Sequence, residues 1–479
     1  MPSLTRALAA ASVLALSACA TVGPNFKTPE APQGAAGAGY AMAGDARAPG
    51  VTLSPEARTA GPWWQAFGSP ELDRVVREAL ADSPTVAEAT ATLQRAQAQA
   101  AATRGAELPQ VDANAGAQRE RINTQAFGFT GFPSPTINLF SVGAAVSYDL
   151  DLFGGRKRAT EAAVAQAQAE ARRADAAYLT LSGNVALQAM RIASLRSQMA
   201  AVEAITADDR QIIDMVRRAH EAGGEAPSAI TAGQSQLAQD EALLPPLQRE
   251  LDAARHQLAL LSGKSPAAWT APDFDMASFR PPTETPVALP SALVRGRPDI
   301  LAAEADLHAA TARIGVAVAN QYPNIRLSAG LTQTAIRPQD IFSYDSSGWS
   351  LASGLTAPIF HGGTLKAERQ AAEADARAAD ARYRQTVLRA FVQVADVLAA
   401  LGSDQQSLAA LGRAQAAAEA TARDAQTAYR LGGGTLLAVI DAQRELNRAR
   451  RDAVQAQGQR YADLVQLYAA TATDWRRAS

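Results

Sequence analysis

The chain has 479 residues, a formal net charge of −2 and a pI near 6.2. A chain with this composition is not strongly basic, as nucleic-acid-binding proteins typically are, so we expect no nucleic-acid partner. Aromatic residues make up only 5% of the chain and alanine is abundant, which favours long, closely packed helices over one bulky globular core.

The first 18 residues have the layout of a secretory signal peptide. Arg6 gives a positive start, and the apolar run after it is too short to span a membrane. The segment ends in Leu-Ser-Ala before Cys19, the only cysteine of the chain, and resembles a bacterial lipobox. We predict cleavage before Cys19, acylation of that residue and an N-terminal extension over 19–70, with an ordinary secretory site as the alternative. We find no later apolar run of about 18 residues, so no spanning helix is expected.

The rest of the chain is two copies of one unit of about 210 residues. Residues 83–116 align without a gap with residues 297–330. We predict a first repeat at 71–265 and a second at 295–472. A Pro-rich connector at 266–294 joins them, and a short tail follows at 473–479.

Both repeats show the same order of predicted elements. A helical pattern comes first, at 84–106 or 298–320, and two strand patterns follow, at about 108–120 and 138–150 or about 323–335 and 348–359. A very long helix, a glycine turn and a second long helix then form hairpins predicted at 156–262 and 364–470. A helix of about 65 residues is roughly 100 Å long, which indicates a coiled-coil-like array.

The four strand patterns alternate apolar and small polar residues. In residues 140–150, Phe140, Val142, Val146 and Tyr148 share one face, over the length that a transmembrane β-strand needs. A half-buried soluble sheet is the alternative for any single strand. Aromatic residues in the connecting loops suit a membrane interface: Phe127, Phe129, Phe132, Phe342 and Tyr344.

Four strands cannot close a barrel, and lipid does not tolerate open sheet edges. Several chains must therefore share one barrel. Two chains would give eight strands with a filled interior, whereas three would give twelve strands and a lumen, which the small polar face favours. We predict a mainly α-helical, duplicated fold in which three identical chains each contribute four strands to one β-barrel.

Several longer stretches carry a family resemblance. They are VGPNFKTPEAP after Cys19, WWQAFGSPELDRVVREAL (63–80), SYDLDLFGGRKRA (147–159), GRPDILAAEADLHAATARIGVAVANQYPNIRLSAG (296–330), PIFHGGTLKAE (358–368) and YRLGGGTLLAVIDAQREL (429–446). The chain resembles the TolC-like outer-membrane efflux factors, in the lipoprotein branch (OprM/NodT-type) that serves resistance-nodulation-division pumps. This resemblance implies a homotrimeric exit duct for drugs or other small molecules, with a twelve-stranded barrel in the outer membrane continued by an α-helical tunnel across the periplasm.

The long hairpins turn at Gly223-Gly224 and at Gly432-Gly433-Gly434. Glycine permits the positive φ that ends a helix and reverses the chain. These turns lie at the ends of the helices farthest from the strands. The resemblance implies that they contact a periplasmic adaptor, which connects the channel to an inner-membrane pump.

The second repeat carries the candidate gate. Leu437, Asp441 and Arg444 share one helix face. Their equivalents in the first repeat are uncharged: Ser228, Ala232 and Ser235. A solvated surface with a local ion pair is the alternative. The resemblance implies a constriction, in which Leu437 forms an apolar ring, Asp441 and Arg444 tie neighbouring helices, and Tyr429, matched by His220, holds its hairpin against the neighbouring one.

Two other classes of protein remain as alternatives. The four histidines are scattered and show no metal-binding spacing, and no nucleophile motif is present, so we expect no enzyme, metal or cofactor. A structural periplasmic coiled-coil lipoprotein explains Cys19 and the helices but not the strands. A type I protein-secretion exit channel has the same architecture, and the lipobox favours efflux of small molecules.

Overall fold

The computed structural model describes residues 21–30, 40, 62–128, 131, 133–280 and 290–472. The signal peptide, Cys19, Phe129, Phe132 and residues 473–479 lie outside this range. The chain divides into two compact units, and each draws on both repeats. The strand unit contains Met1–Pro29, Thr92–Glu170 and Ala303–Tyr383, and the helical unit contains Glu30–Ala91, Ala171–Ala302 and Arg384–Ser479.

The helices and strands follow the predicted order. The helices are α1 (Pro70–Asp82), α2 (Pro84–Gly105), α3 (Gly155–Glu221), α4 (Pro227–Glu241), α5 (Leu244–Leu261), α6 (Pro290–Gly296), α7 (Pro298–Ala319), α8 (Thr364–Arg430) and α9 (Leu436–Thr471). The strands are β1 (Gln110–Arg121), β2 (Thr136–Leu150), β3 (Asn324–Ala335) and β4 (Ser347–Thr356).

The four strands form one antiparallel sheet in the order β1-β2-β3-β4. Its registers align the apolar positions of all strands on one face, as in the row Val111, Val146, Ala329 and Leu351. The next row belongs to the opposite face and is small or polar: Asp112, Ala145, Gly330 and Ser350. Since successive side chains of a strand point to opposite faces, the predicted alternation extends across the whole sheet.

A segment near the N-terminus, residues 21–29, packs within the strand unit. We call it the N-terminal strap. The buried guanidinium of Arg158 donates from Nη2 to Asn25 Oδ1 at 2.7 Å. The ring of Phe26 stacks on His308, with 4.4 Å between the ring centroids. These contacts fix a part of the chain that carries no regular secondary structure.

The helical unit has an aromatic core at its N-terminal part. Ser69 Oγ accepts a hydrogen bond from the backbone N–H of Leu72, and Pro70 occupies the first turn, so α1 begins with two strong start signals. Just before it, a single 3₁₀ turn buries Trp63 and Phe67 against Tyr468 of α9.

The return arms of the two hairpins differ. Helices α3 and α8 both have 67 residues, and α9 returns without a break over 36 residues. In the first repeat, however, the predicted single return helix is divided into α4 and α5 at Ala242–Leu243. Pro245 and Pro246 follow Leu244, the first residue of α5. Proline has no backbone N–H and is accommodated in the first turn of a helix, so the helix restarts there.

One described helix is apolar enough to cross a membrane by length and composition alone. A stretch of 18 residues in α8 has a mean hydropathy of 1.4, and a third of it is buried. The sequence prediction, based on uninterrupted apolar runs, did not identify it. Leu388 and Val392 are among the exposed apolar side chains of α8.

Candidate gate at the glycine turns of the helical unit

The two glycine turns have the same backbone geometry. Gly223 and Gly432 have φ values of +78° and +77°. The N–H of the next glycine, Gly224 or Gly433, donates to the carbonyl five residues earlier, at 2.9 Å in both turns. This is the pattern of a helix that ends in a left-handed residue. Thr435 Oγ1 then accepts from the N–H of Ala438 at 3.3 Å and caps α9.

The positive φ of Gly432 leads to a testable difference between neighbouring glycines. We expect Gly432→Ala to cost about 1–2 kcal/mol, because a Cβ is strained in the left-handed region. Gly433→Ala is the matched control, since its φ is not positive and its Cβ would lie in ordinary contact, 3.9 Å from the carbonyl oxygen of Ala428. Hydrogen exchange followed by mass spectrometry should show exchange at the turn roughly 5- to 30-fold faster in Gly432→Ala only. Equal rates in both variants would contradict this strain.

The predicted gate residues lie on the first turns of α9. Leu437 is 65% exposed, although α9 is otherwise anchored by buried Leu436, Val439 and Ile440. Arg444 Nη1 lies 3.6 Å from Asp441 Oδ1, and both side chains are about half exposed. Leu437, Asp441 and Arg444 therefore share the solvent-facing side of α9 in the single chain.

Arg444 also contacts the first repeat. Its Nε donates to Gln236 Oε1 of α4 at 2.5 Å, and Gln236 Nε2 donates to Asp240 Oδ2 at 2.8 Å. This contact joins α9 to α4 within one chain, and it was not predicted from the sequence. Gln236 lies between the exposed Arg444 and the buried Asp240, and it connects the gate to the interior of the helical unit.

Tyr429 lies at the last turn of α8. Its hydroxyl donates to Glu225 Oε1 of the other turn at 3.1 Å, and His220 Nδ1 lies 2.6 Å from the backbone oxygen of Glu225. Partial burial and the hydrogen bond to Glu225 raise the pKa of Tyr429. The two repeat-equivalent residues, Tyr429 and His220, thus hold the same residue between the two turns.

A buried acidic pair near the candidate gate was not predicted from the sequence. Asp209 of α3 and Asp240 of α4 are 4% and 5% exposed. Burial and the neighbouring Asp240 raise the pKa of Asp209 to about 7. One signal was present in the sequence. Asp208 and Asp209 are consecutive, and successive helix positions point 100° apart, so one of the two can face inward.

Nothing in the described residues suggests a metal centre. No group of three or more histidine, cysteine, aspartate or glutamate side chains in that part of the chain could hold a metal ion.

Comparisons with known proteins agree with this architecture. The family model described as outer membrane efflux protein matches the chain twice, over residues 75–264 and 289–473. A curated relative, the pyoverdine export outer membrane protein OpmQ of Pseudomonas aeruginosa, is 32% identical over 422 residues, which are 86% of this chain and 87% of OpmQ. The twofold match and this relative confirm the recognised family.

Two solved channels have the same fold. The structure of the outer-membrane channel OprN aligns with a TM-score of 0.85 and 27% identity, over 95% of this chain and all of OprN. The open state of the MtrE outer membrane channel of Neisseria gonorrhoeae aligns with a TM-score of 0.81 and 26% identity, over 96% of this chain and 99% of MtrE. The predicted fold class, outer-membrane location and exit-duct function are confirmed. This chain belongs to the outer membrane efflux protein family and is an outer-membrane efflux channel.

Proposed function

We propose that three copies of this chain form one exit channel that is closed at its periplasmic end by the residues after the second glycine turn. The observation that carries the proposal is the four-stranded sheet. Its order places β1 and β4 at the edges, and one face is apolar from edge to edge. A sheet of this kind in lipid requires further strands at both edges.

Three chains fit this sheet better than two. Twelve strands enclose a lumen, whereas eight leave an interior that side chains fill. The face opposite the apolar one carries residues such as Gly330, Ser350 and Gly354, which are too small to fill a barrel and suit a wet lumen. A coiled-coil spacer, the alternative that lacks strands, does not account for this sheet.

The closed end is formed by Leu437, Asp441 and Arg444. Around a threefold axis, the exposed Leu437 side chains form an apolar ring, and the half-exposed Asp441 and Arg444 face the neighbouring chain. Adaptor hairpins contact the glycine turns and shift the population towards the open state by binding it more tightly. The pump supplies the energy, and the channel conducts small molecules passively. The relative OpmQ is named for the export of pyoverdine. Cys19, outside the described residues, is the proposed site of lipid attachment.

The gate assignment predicts a change in conductance. We expect Asp441→Ala with Arg444→Ala to raise the open probability of the purified channel in planar bilayers roughly tenfold. The reason is that losing about 0.5 kcal/mol in each of three chains shifts the opening equilibrium by that factor.

Ser235→Ala is the matched control, because Ser235 occupies the position of Arg444 in the first repeat. It should leave the open probability unchanged. An unchanged open probability in the double variant would reject Asp441 and Arg444 as gate residues. A native mass of one chain, with no conductance, would reject the shared barrel.

A further inference from the structure

We propose that Asp209 and Asp240 are positioning residues for the gate: Asp209, buried beside Asp240, binds and releases one proton and thereby determines where the guanidinium of Arg444 lies. The proposal rests on the proposed function, because Arg444 belongs to the gate described there. It adds a proton-dependent step to the proposed opening by partner proteins.

The first support is the geometry of the acidic pair. Asp209 and Asp240 are both more than nine-tenths buried, and Gln236, which donates to Asp240, lines one small cavity together with Asp209 and Arg444. Asp209 Oδ2 has no hydrogen-bond partner. Two buried carboxylates in contact repel each other unless one of them carries a proton. The proton therefore belongs on Asp209, because Asp240 accepts a hydrogen bond from Gln236 and lies 3.6 Å from Arg451 Nη1.

The second support is the path from this pair to the gate. Gln236 bridges Asp240 and Arg444 through one donated and one accepted hydrogen bond, so a shift of either carboxyl group reaches Arg444 through a single side chain. Arg444 is also close enough for its positive charge to favour the charged form of Asp209. The negative charge of Asp208 acts in the opposite direction and disfavours that form.

Two other acidic side chains near Asp209 and Asp240 already form ion pairs with arginines. Asp208 binds Arg450 Nη1 of α9 at 3.1 Å, and Glu241 of α4 binds Arg210 of α3 at 2.7 Å. Of the charged groups that face Asp209, Arg444 is therefore the cation that a new negative charge attracts most directly.

The third support is the second repeat. Within the long hairpins, a position in the first repeat corresponds to the position 209 residues later, as Gly223 corresponds to Gly432. By this rule, Asp209 and Asp240 correspond to Ala418 and Ala449, which are buried together in an apolar cluster. The hairpin of the second repeat thus packs through alanine at both positions. Packing alone does not require carboxyl groups there, and they occur in the repeat that faces Arg444.

The proposed step is a simple deprotonation. The O–H bond of Asp209 breaks, and the proton passes to water. The new carboxylate repels Asp240 and attracts Arg444 inward, away from Asp441, which weakens the closed gate. With a pKa of about 7, the ionised fraction of Asp209 rises roughly tenfold between pH 6 and pH 8. We therefore expect the open probability to rise with pH.

The sign of the stability change follows from the same shift. The folded chain binds more protons at Asp209 than the unfolded chain does between pH 3.8 and about 7. The helical unit should lose stability as the pH rises through this window and change no further above it.

The experiment measures open probability in planar bilayers in potassium chloride from pH 5.5 to 8.5. In the unmodified channel, we expect an increase of up to tenfold with a midpoint near pH 7. Asp209→Asn, which has the shape of the protonated acid, should remain at the low-pH value throughout. The double variant Asp209→Ala/Asp240→Ala places alanine at both positions, as the second repeat does. It should also lose the dependence of the open probability on pH. Asp404→Asn is the control, because Asp404 is another acid of the helical unit whose pKa is raised, to about 6, and it should behave as the unmodified channel.

A second measurement is independent of conductance. The infrared difference spectrum of the purified protein between pH 6 and pH 8.5 should contain protonated carboxyl absorption from both Asp209 and Asp404, and Asp209→Asn should remove the component that titrates near pH 7, which Asp404→Asn leaves in place. Persistence of the component that titrates near pH 7 in Asp209→Asn, or an unchanged pH profile of conductance in that variant, would overturn the proposal. Absence of conductance in every variant would instead count against the proposed channel gate, and the infrared result would still decide whether Asp209 binds and releases this proton.

Discussion

Replacing Leu351 by arginine should abolish assembly of the channel in the outer membrane. Leu351 lies at the middle of β4, on the apolar face of the sheet, and is 77% exposed in the single chain. An arginine at the midplane of a bilayer costs about 2–4 kcal/mol on the lipid face of a barrel strand. Three copies in one barrel cost roughly three times as much, which is comparable to the whole stability of a typical domain.

The neighbouring residue provides a matched control. Ser350 belongs to the opposite face, so Ser350→Arg should assemble and change only the conductance or ion selectivity of the lumen. Outer-membrane fractions and heat-dependent mobility of the trimer on gels would separate the two variants. If Leu351→Arg assembled as well as Ser350→Arg did, the assignment of the two faces would be wrong.

The second large effect concerns the aromatic core of the helical unit. Trp63 is buried, with its ring 6.2 Å from that of Tyr468 and 6.3 Å from that of Phe67, and Nε1 donates to Ser182 Oγ at 3.2 Å. Truncation of such a side chain leaves a cavity and costs about 3–5 kcal/mol. We expect Trp63→Ala to lower the thermal midpoint of the helical circular dichroism signal of the detergent-solubilised protein.

Ser182→Ala separates the hydrogen bond from the packing. It removes the acceptor of Trp63 Nε1 but leaves the ring in place, so it should cost only about 1 kcal/mol. Equal losses in the two variants would show that the polar contact, rather than the burial of the ring, stabilises this core.

The strands and turns could be predicted from the sequence because each depends on a local pattern. The alternation of Val142, Val146 and Tyr148 with small residues defines β2 without any knowledge of its partners. Gly223 and Gly432 occupy the two positions that require a positive φ, and glycine is the residue that accepts it at no cost. Repetition of both patterns in the two halves of the chain made the prediction stronger.

The buried acidic pair could not be predicted in the same way. In α3 the buried Ile205, Ile212 and Val216 follow the helical period and mark the side on which Asp209 lies, but this stripe does not indicate which side chain of another helix faces Asp209. Asp209 and Asp240 belong to different helices, and only the pairing of those helices brings them together. The contact between Arg444 and Gln236 was missed for the same reason, since it joins side chains from different repeats.

The N-terminal strap has a consequence for the height of the channel in the membrane. The N–H of Val22 donates to the carbonyl oxygen of Phe153 at 3.1 Å, and Thr21 lies directly against Gly154. Only Ala20 separates Thr21 from Cys19, so the proposed acylation of Cys19 would attach the lipid two residue steps from Thr21, which is about 7 Å of fully extended backbone. The backbone of the proposed attachment point would then lie within that distance of the strap. This attachment would thereby set the depth at which the barrel rests in the leaflet, independently of the hydrophobic match of its strands.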